Sequence, residues 1–247
     1  MQTPVILKTF YKGKMREYFA MPEEELHTDL GIINLGGLQE KSFGDTIKSH
    51  LGIEFTIQEL RSPDFFRHAR RSGAPMMPKD IGVIIANTGL CSSDCVLDAG
   101  TGSGILAIYL GKIAKKVVSY EVREEFIEVA QKNVDLARLS NIELRHGDIV
   151  AGIQKLDEKF DVVTLDTIDA SKVIPHIPRV IYPGGYLAVY SPFFEQTKEI
   201  RCALEKTELA EVYTIETIER EISFTDRGTR PATARVGHTG FITIARY

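Results

Sequence analysis

The chain has 247 residues with a formal charge of −4, and 43% of its residues are hydrophobic and 26% charged. That is enough for one large α/β domain and a small second one, of ordinary globular composition. It excludes a whole-surface basic field for nucleic acid, so any such partner must be held by local patches.

Residues 1–62 carry short apolar runs broken by turn residues, such as Val5-Ile6-Leu7, Glu17-Tyr18-Phe19-Ala20, Ile32-Ile33 and Glu54-Phe55-Thr56-Ile57. This strand-and-turn pattern predicts a small β-rich N-terminal domain. Residues 63–247 form the second predicted domain. A short helix is expected over 63–71, with Ser62 as its cap and Pro63 at its first position. A helix over 80–88 ends at Gly89. Strands at 95–98, 116–121, 142–146, 160–166 and 185–191 then alternate with helices at 104–112, 124–138, 171–179 and 195–205. Strands at 211–219 and 240–246 close the chain. The alternation predicts a Rossmann-like, doubly wound, mostly parallel sheet, with an antiparallel strand at its C-terminal end. No apolar run approaches the ~18 residues of a membrane helix, and Met1 to Lys8 lack the apolar core of a signal peptide. No membrane association and a cytoplasmic location are expected. Cys91, Cys95 and Cys202 lack zinc spacing and are expected to be small buried or half-buried residues; no metal is expected.

Doubly wound sheets bind ligands at the carboxyl ends of their strands. Acidic residues fall at those ends: Asp98, Glu121, Asp148 and Asp166. Gly100, Gly102 and Gly104, in Asp98-Ala99-Gly100-Thr101-Gly102-Ser103-Gly104, let the backbone turn sharply and lie against a ligand. The run Gly102-Ser103-Gly104-Ile105-Leu106-Ala107 also fits a dinucleotide fingerprint. Two details favour S-adenosyl-L-methionine. Asp98-Ala99 separates the apolar strand from the first glycine, and a carboxylate there suits an ammonium group better than a pyrophosphate. The further acidic ends suit a net cationic ligand. On this reading Asp98, Gly100, Gly102, Ser103, Gly104, Ile105 and Leu106 form the cofactor loop. Glu121 accepts the ribose hydroxyls, Asp148 with Ile149 meets the adenine, and Asp166 lies near the transferred methyl.

Several segments together resemble the tRNA (adenine-N1)-methyltransferase family, which modifies the T-loop adenosine at position 58 and, in archaeal relatives, also the adjacent one. They are His27-Thr28-Asp29-Leu30-Gly31, Ser49-His50-Leu51-Gly52, Arg70-Arg71-Ser72-Gly73-Ala74-Pro75-Met76-Met77-Pro78-Lys79-Asp80, the glycine loop, Ser119-Tyr120-Glu121 and Leu165-Asp166. Arg230-Pro231 and Val236-Gly237-His238-Thr239-Gly240-Phe241 complete the set. The Pro-Lys-Asp and Gly-His-Thr-Gly-Phe segments are the more specific ones. The resemblance implies a methyltransferase domain beside a small β domain, tRNA as partner and a homotetramer.

The chemistry can be argued separately. Neutral adenine N1 has a lone pair and no proton to lose, so the enzyme mainly positions reactants and stabilises charge. Asp166 is the catalytic candidate, holding the exocyclic amino group of the base. The base must leave the folded T-loop to reach it. Arg67, Arg70, Arg71 and Lys79 form one basic segment, and Arg227, Arg230 and Arg235 another. Met77 and His238 complete the substrate candidates. Two departures from the family pattern stand out. Met77 replaces a frequent tyrosine, and Asp166-Thr167-Ile168-Asp169-Ala170 lacks a proline after the catalytic aspartate. The alternatives are a small-molecule methyltransferase of the same superfold, for a corrin precursor for example, and a catalytically silent tRNA-binding subunit.

Overall fold

Apolar residues on alternate positions set the N-terminal sheet. The computed structural model of the chain describes residues 3–21, 25–233 and 237–247. Strands β1 (Val5–Tyr11), β2 (Lys14–Ala20), β3 (Glu25–Thr28), β4 (Gly31–Asn34), β5 (Thr46–Lys48) and β6 (Glu54–Glu59) precede helix α1 (Ser62–His68). β2-β1-β6-β5 form one antiparallel sheet and β3-β4 a hairpin. Val5, Leu7, Ala20, Ile33, Leu38, Phe55 and Ile57 close over a core between them. Contacts divide the chain into residues 1–69 and 70–247, so α1 belongs with the β-rich unit. The reason is electrostatic. Glu17 on β2 takes His68 at 2.5 Å and Arg67 at 3.1 Å, and Phe19 stacks on the His68 ring. Arg61, not Ser62, caps α1, and the helix stops at His68.

The second unit runs α2 (Pro78–Thr88), β7 (Cys95–Ala99), α3 (Ile105–Gly111), β8 (Lys116–Glu121), α4 (Glu124–Ala137), β9 (Ile142–His146), α5 (Ile149–Gly152), β10 (Phe160–Leu165), α6 (Ala170–Val173), α7 (Ile177–Val180), β11 (Ile181–Ser191) and α8 (Phe194–Leu204). It ends with β12 (Ala210–Glu216), β13 (Ile222–Thr225), β14 (Gly228–Pro231) and β15 (Phe241–Arg246). Seven strands form one sheet in the order β12-β15-β11-β10-β7-β8-β9. β11, β10, β7, β8 and β9 are parallel, and β15 lies antiparallel to β11 and β12. This is a Rossmann-like, doubly wound sheet with an antiparallel strand near one edge. Strand order reverses between β7 and β10, where a ligand crevice opens in such sheets. Core residues Leu97, Val118, Val163, Leu165, Leu187 and Val189 are fully or almost fully buried.

Two predicted elements differ. The helix expected over 171–179 is three short pieces, because Pro175 and Pro178 remove backbone donors. The hairpin β13-β14 was not expected. Its strands are almost wholly exposed, so no apolar alternation marks them. Cys91 and Cys202 are exposed rather than buried, and all three cysteines are free. No helix among the described residues is long and apolar enough to cross a membrane.

Candidate active site

The parallel register brings the strand-end carboxylates together. Two cavities open at the carboxyl ends of β7, β8 and β10. The first, about 280 Å³, is lined by residues 72–76 together with Gly100, Thr101, Gly102, Ser103, Ile105, Leu106, Arg123, Phe126 and Asp166. The second, about 430 Å³, is lined by Gly100, residues 120–123, Gly147, Asp148, Ile149, residues 166–169, Tyr190, Pro192 and Gln196. The two share Gly100, Arg123 and Asp166, so Asp166 stands where they meet.

The glycine loop is held by the next strand. Gly100 and Thr101 donate to the Tyr120 carbonyl at 2.9 and 3.2 Å. The Gly102 N–H donates to Glu121 Oε2 at 2.9 Å. Glu121 is 3% exposed, and its Oε1 takes the Arg123 backbone N–H at 3.2 Å and Nε at 3.1 Å. The Arg123 guanidinium lies 3.5 Å over the Phe126 ring. Asp148 is exposed and caps α5 by accepting from the Val150 N–H at 2.8 Å. Asp166 is half-buried. Burial, then the nearby Asp98 and Glu121 carboxylates, pushes its carboxyl up to about 7.

These residues fit a methionine-bearing nucleoside. Ser72 and Ser103 line the first cavity, and the hydroxyl oxygens of both are buried without a hydrogen-bond partner. Buried hydroxyls left this way call for a polar ligand. A Cβ at Gly102 would have nothing closer than Gly100 O at 3.9 Å, leaving room for a ligand against the backbone. A carboxylate oxygen can accept more than one hydrogen bond, so Glu121 retains capacity for hydroxyl donors.

Two expected cofactor residues lie away from both cavities. Asp98 does not line either cavity. It forms a cross-strand row with Thr164 on β10 and Ser119 on β8, which are its register partners. Thr164 Oγ1 donates to Asp98 Oδ1 at 2.6 Å and Ser119 Oγ to Oδ2 at 2.5 Å. Both oxygens are turned into the sheet, and burial pushes this carboxyl up as well. Its effect on a ligand is therefore indirect, through Asp166. Gly104 lies behind the loop, where a Cβ would sit 3.3 Å from that of Ala130 on α4. Its role is helix packing.

The substrate candidates scatter. Lys79 is not free for a phosphate. Its ammonium donates to Asp80 Oδ1 at 2.7 Å, the Thr217 carbonyl at 2.7 Å and Thr239 Oγ1 at 2.6 Å. Thr239 in turn donates to the fully buried Asp80 at 2.8 Å. The two most specific sequence segments thus meet in one buried network that fastens α2 to the start of β15. Lys79→Met is expected to cost roughly 2 kcal/mol of stability, by leaving the Asp80 charge short of its partner. It should leave the salt dependence of RNA binding unchanged. Denaturant unfolding and binding titrations at several salt concentrations check both halves.

His238 Nδ1 lies 2.6 Å from Glu216 Oε1 and Nε2 2.8 Å from the Pro192 carbonyl. Both partners are acceptors, so the pair favours the protonated ring. Glu216, then the carbonyl, pulls its pKa up. His238 is a clamp between the ends of β11 and β12, not a group aimed into either cavity. Met77 and Arg230 line a separate recess of about 610 Å³ beside the β13-β14 hairpin. Met76, its sequence neighbour, lines the glycine-loop cavity instead. Arg70 and Arg71 are exposed. Arg67 is engaged by Asp64 and Glu17, and Arg235 and Val236 lie outside the described residues.

Other participants carry no sequence signature. Asn133, fully buried on α4, donates to Ser103 O at 2.8 Å and Arg70 O at 2.9 Å. It joins the glycine loop to the segment covering it. On a helix face it reads as one more polar residue. Tyr190 and Gln196 enter the second cavity from β11 and α8, far from any motif.

Comparison with known proteins agrees with this geometry. A family described as a methyltransferase domain matches residues 91–225. The chain is 34% identical to the tRNA (adenine(57)-N(1)/adenine(58)-N(1))-methyltransferase TrmI of Methanocaldococcus jannaschii, over 90% of this chain and 88% of that protein. A SAM-dependent O-methyltransferase structure from Thermotoga maritima superposes with a TM-score of 0.86 at 26% identity, covering 100% of this chain and 93% of that one. The tRNA (m1A58) methyltransferase TrmI of Aquifex aeolicus superposes with a TM-score of 0.78 at 20% identity, covering 98% and 96%.

Proposed function

The chain belongs to the tRNA (adenine-N1)-methyltransferase family, and from that premise we propose that it methylates N1 of adenosine in the tRNA T-loop, at position 58 and at the adjacent adenosine. The observation that carries this reading is the place of Asp166, shared by a cavity suited to a methionine moiety and a larger one, lined by Glu121, Asp148 and Ile149 for the cofactor's nucleoside and by Tyr190, Pro192 and Gln196 for a base. S-adenosylmethionine, when bound, supplies a methyl group on a sulfonium. Ser103, Gly102 and Ser72 hold its amino-acid end, Glu121 its ribose, and Asp148 and Ile149 its adenine. Asp166 accepts an N–H of the target's exocyclic amino group and favours positive charge developing on the ring. No residue need remove a proton from N1.

Residues 70–247 would carry the chemistry and residues 1–69, with α1, would form the accessory domain. Arg70, Arg71 and Arg230 would contact tRNA phosphates. A homotetramer is part of the proposal. The β13-β14 hairpin exposes Phe224 at 78% and Ile222 at 45%, and a lone two-stranded hairpin is marginal in water, so a second copy would cover it. The reading places the protein in the cytoplasm with tRNA.

Purified protein incubated with methyl-labelled cofactor and unmodified tRNA tests it, followed by digestion to nucleosides. The expected label is 1-methyladenosine. Label on an oxygen, as the Thermotoga neighbour's name would suggest, or on no adenosine at all, overturns the proposal.

A further inference from the structure

The second cavity holds a polar group that the reaction as described does not use. Gln196, in the first turn of α8, lines it together with Asp166, Asp169, Tyr190 and Pro192. Two of these neighbours are engaged. The Tyr190 hydroxyl donates to the Thr239 carbonyl at 2.5 Å, and Asp169 pairs with Lys172 at 2.6 Å. Gln196 is not satisfied. Its carbonyl Oε1 is buried and has no hydrogen-bond partner. Buried acceptors are nearly always paired, and an orphan beside a cavity points to a donor that arrives with a ligand.

A terminal carboxamide turns easily about its last torsion and carries an acceptor and a donor side by side. That pair matches one edge of adenine. The oxygen accepts from N6–H while the NH₂ donates to N7. The N6 amino group has two N–H bonds. Asp166 takes the one beside N1, and the one beside N7 is left for a second acceptor. We propose that Gln196 is a positioning and specificity residue. It reads the N6/N7 edge of the target adenine and so turns N1 toward the transferred methyl. A guanine in the same place would set two acceptors, O6 and N7, against the amide's one acceptor and one donor, so whichever way the amide turns Oε1 faces an acceptor and guanine is disfavoured. The proposal rests on the adenosine-N1 reading above.

The test pairs one base atom with one side chain. Two tRNAs are assembled by ligation, with adenosine or 7-deazaadenosine at the target position. For the wild type, loss of N7 should lower kcat/KM roughly tenfold, the usual worth of one base-edge contact. Gln196→Met should lower kcat/KM on adenosine by about the same factor, and 7-deazaadenosine should then cost nothing further. Gln196→Glu keeps the size and the acceptor but sets a second oxygen against N7, so loss of N7 should cost it nothing. Unchanged S-adenosylmethionine affinity in both variants shows that the fold is intact. An equal 7-deaza penalty in wild type and Gln196→Met overturns the assignment. Absence of methyl transfer from the wild type to either tRNA overturns the adenosine-N1 reading, and this assignment with it.

Discussion

Asp166→Asn is expected to lower kcat on the order of 10³-fold while making the folded protein more stable at neutral and alkaline pH. The first effect follows from charge. The amide keeps the size of the carboxylate but offers less negative potential to a ring becoming cationic, and its NH₂ can face the exocyclic amino group donor to donor. Affinity for tRNA should stay near wild type, because its phosphates are held elsewhere. The second effect follows from linkage. Asp166 has its folded pKa raised to about 7 by burial and by Asp98 and Glu121. The folded state therefore holds this proton more tightly than the unfolded state does. Above pH 7 the carboxylate is ionised in both states, and the folded protein bears the whole cost. As pH falls from 7 toward the ordinary value near 4 the cost shrinks, and below that it is gone. Asp166→Asn removes the cost, so its gain in Tm should be largest above pH 7 and vanish near pH 4. The same ionisation should give wild-type kcat/KM a rise with pH through about 7. A Tm gain that grows as pH falls would sink this account. So would unchanged turnover.

The alternation of strands and helices from Cys95 onward was legible in the sequence because each element has its own period and its own stop. Acidic residues at the ends of parallel strands had to converge once that topology was granted, which is why Glu121, Asp148 and Asp166 all line the second cavity. Asp98 shares their position along the strand but not their direction. Its carboxylate belongs to the row Thr164-Asp98-Ser119, which exists only once β10, β7 and β8 are set side by side in register. Lys79 failed for a related reason. Its partners Thr217 and Thr239 lie 138 and 160 residues away, beyond any spacing rule. A basic residue in a motif read as an RNA contact is in fact satisfied within the fold. Ser72 and Gln196 were invisible as site residues, because an orphaned oxygen is a property of packing and not of order along the chain.

The two glycines at the heart of the loop should fail in different ways when given a methyl group. At Gly100 φ is +95°, and a Cβ would lie 2.0 Å from the Asp166 carbonyl oxygen and 2.7 Å from its carbonyl carbon. Neither atom can yield cheaply, because the Asp166 N–H is fixed to the Ala99 carbonyl at 2.8 Å. Gly100→Ala must therefore part the ends of β7 and β10. A cost of roughly 2–4 kcal/mol is expected from strain and overpacking, which lowers Tm by about 10 °C in a chain of this size. It also displaces Asp166, so turnover collapses along with stability. At Gly102 φ is +55°, an αL conformation that alanine adopts for about 1 kcal/mol, and the nearest atom to a Cβ is 3.9 Å away. Gly102→Ala should therefore fold, with Tm lower by only a few degrees. Its methyl group stands where a ligand would approach the backbone. The expected loss is in S-adenosylmethionine affinity, tenfold or more, with the rise of activity through pH 7 preserved at saturating cofactor. Thermal unfolding and calorimetric titration of the two variants separate these outcomes. Equal loss of Tm in both, or wild-type cofactor affinity in Gly102→Ala, would show that the division of labour between the strand junction and the ligand cradle is misassigned.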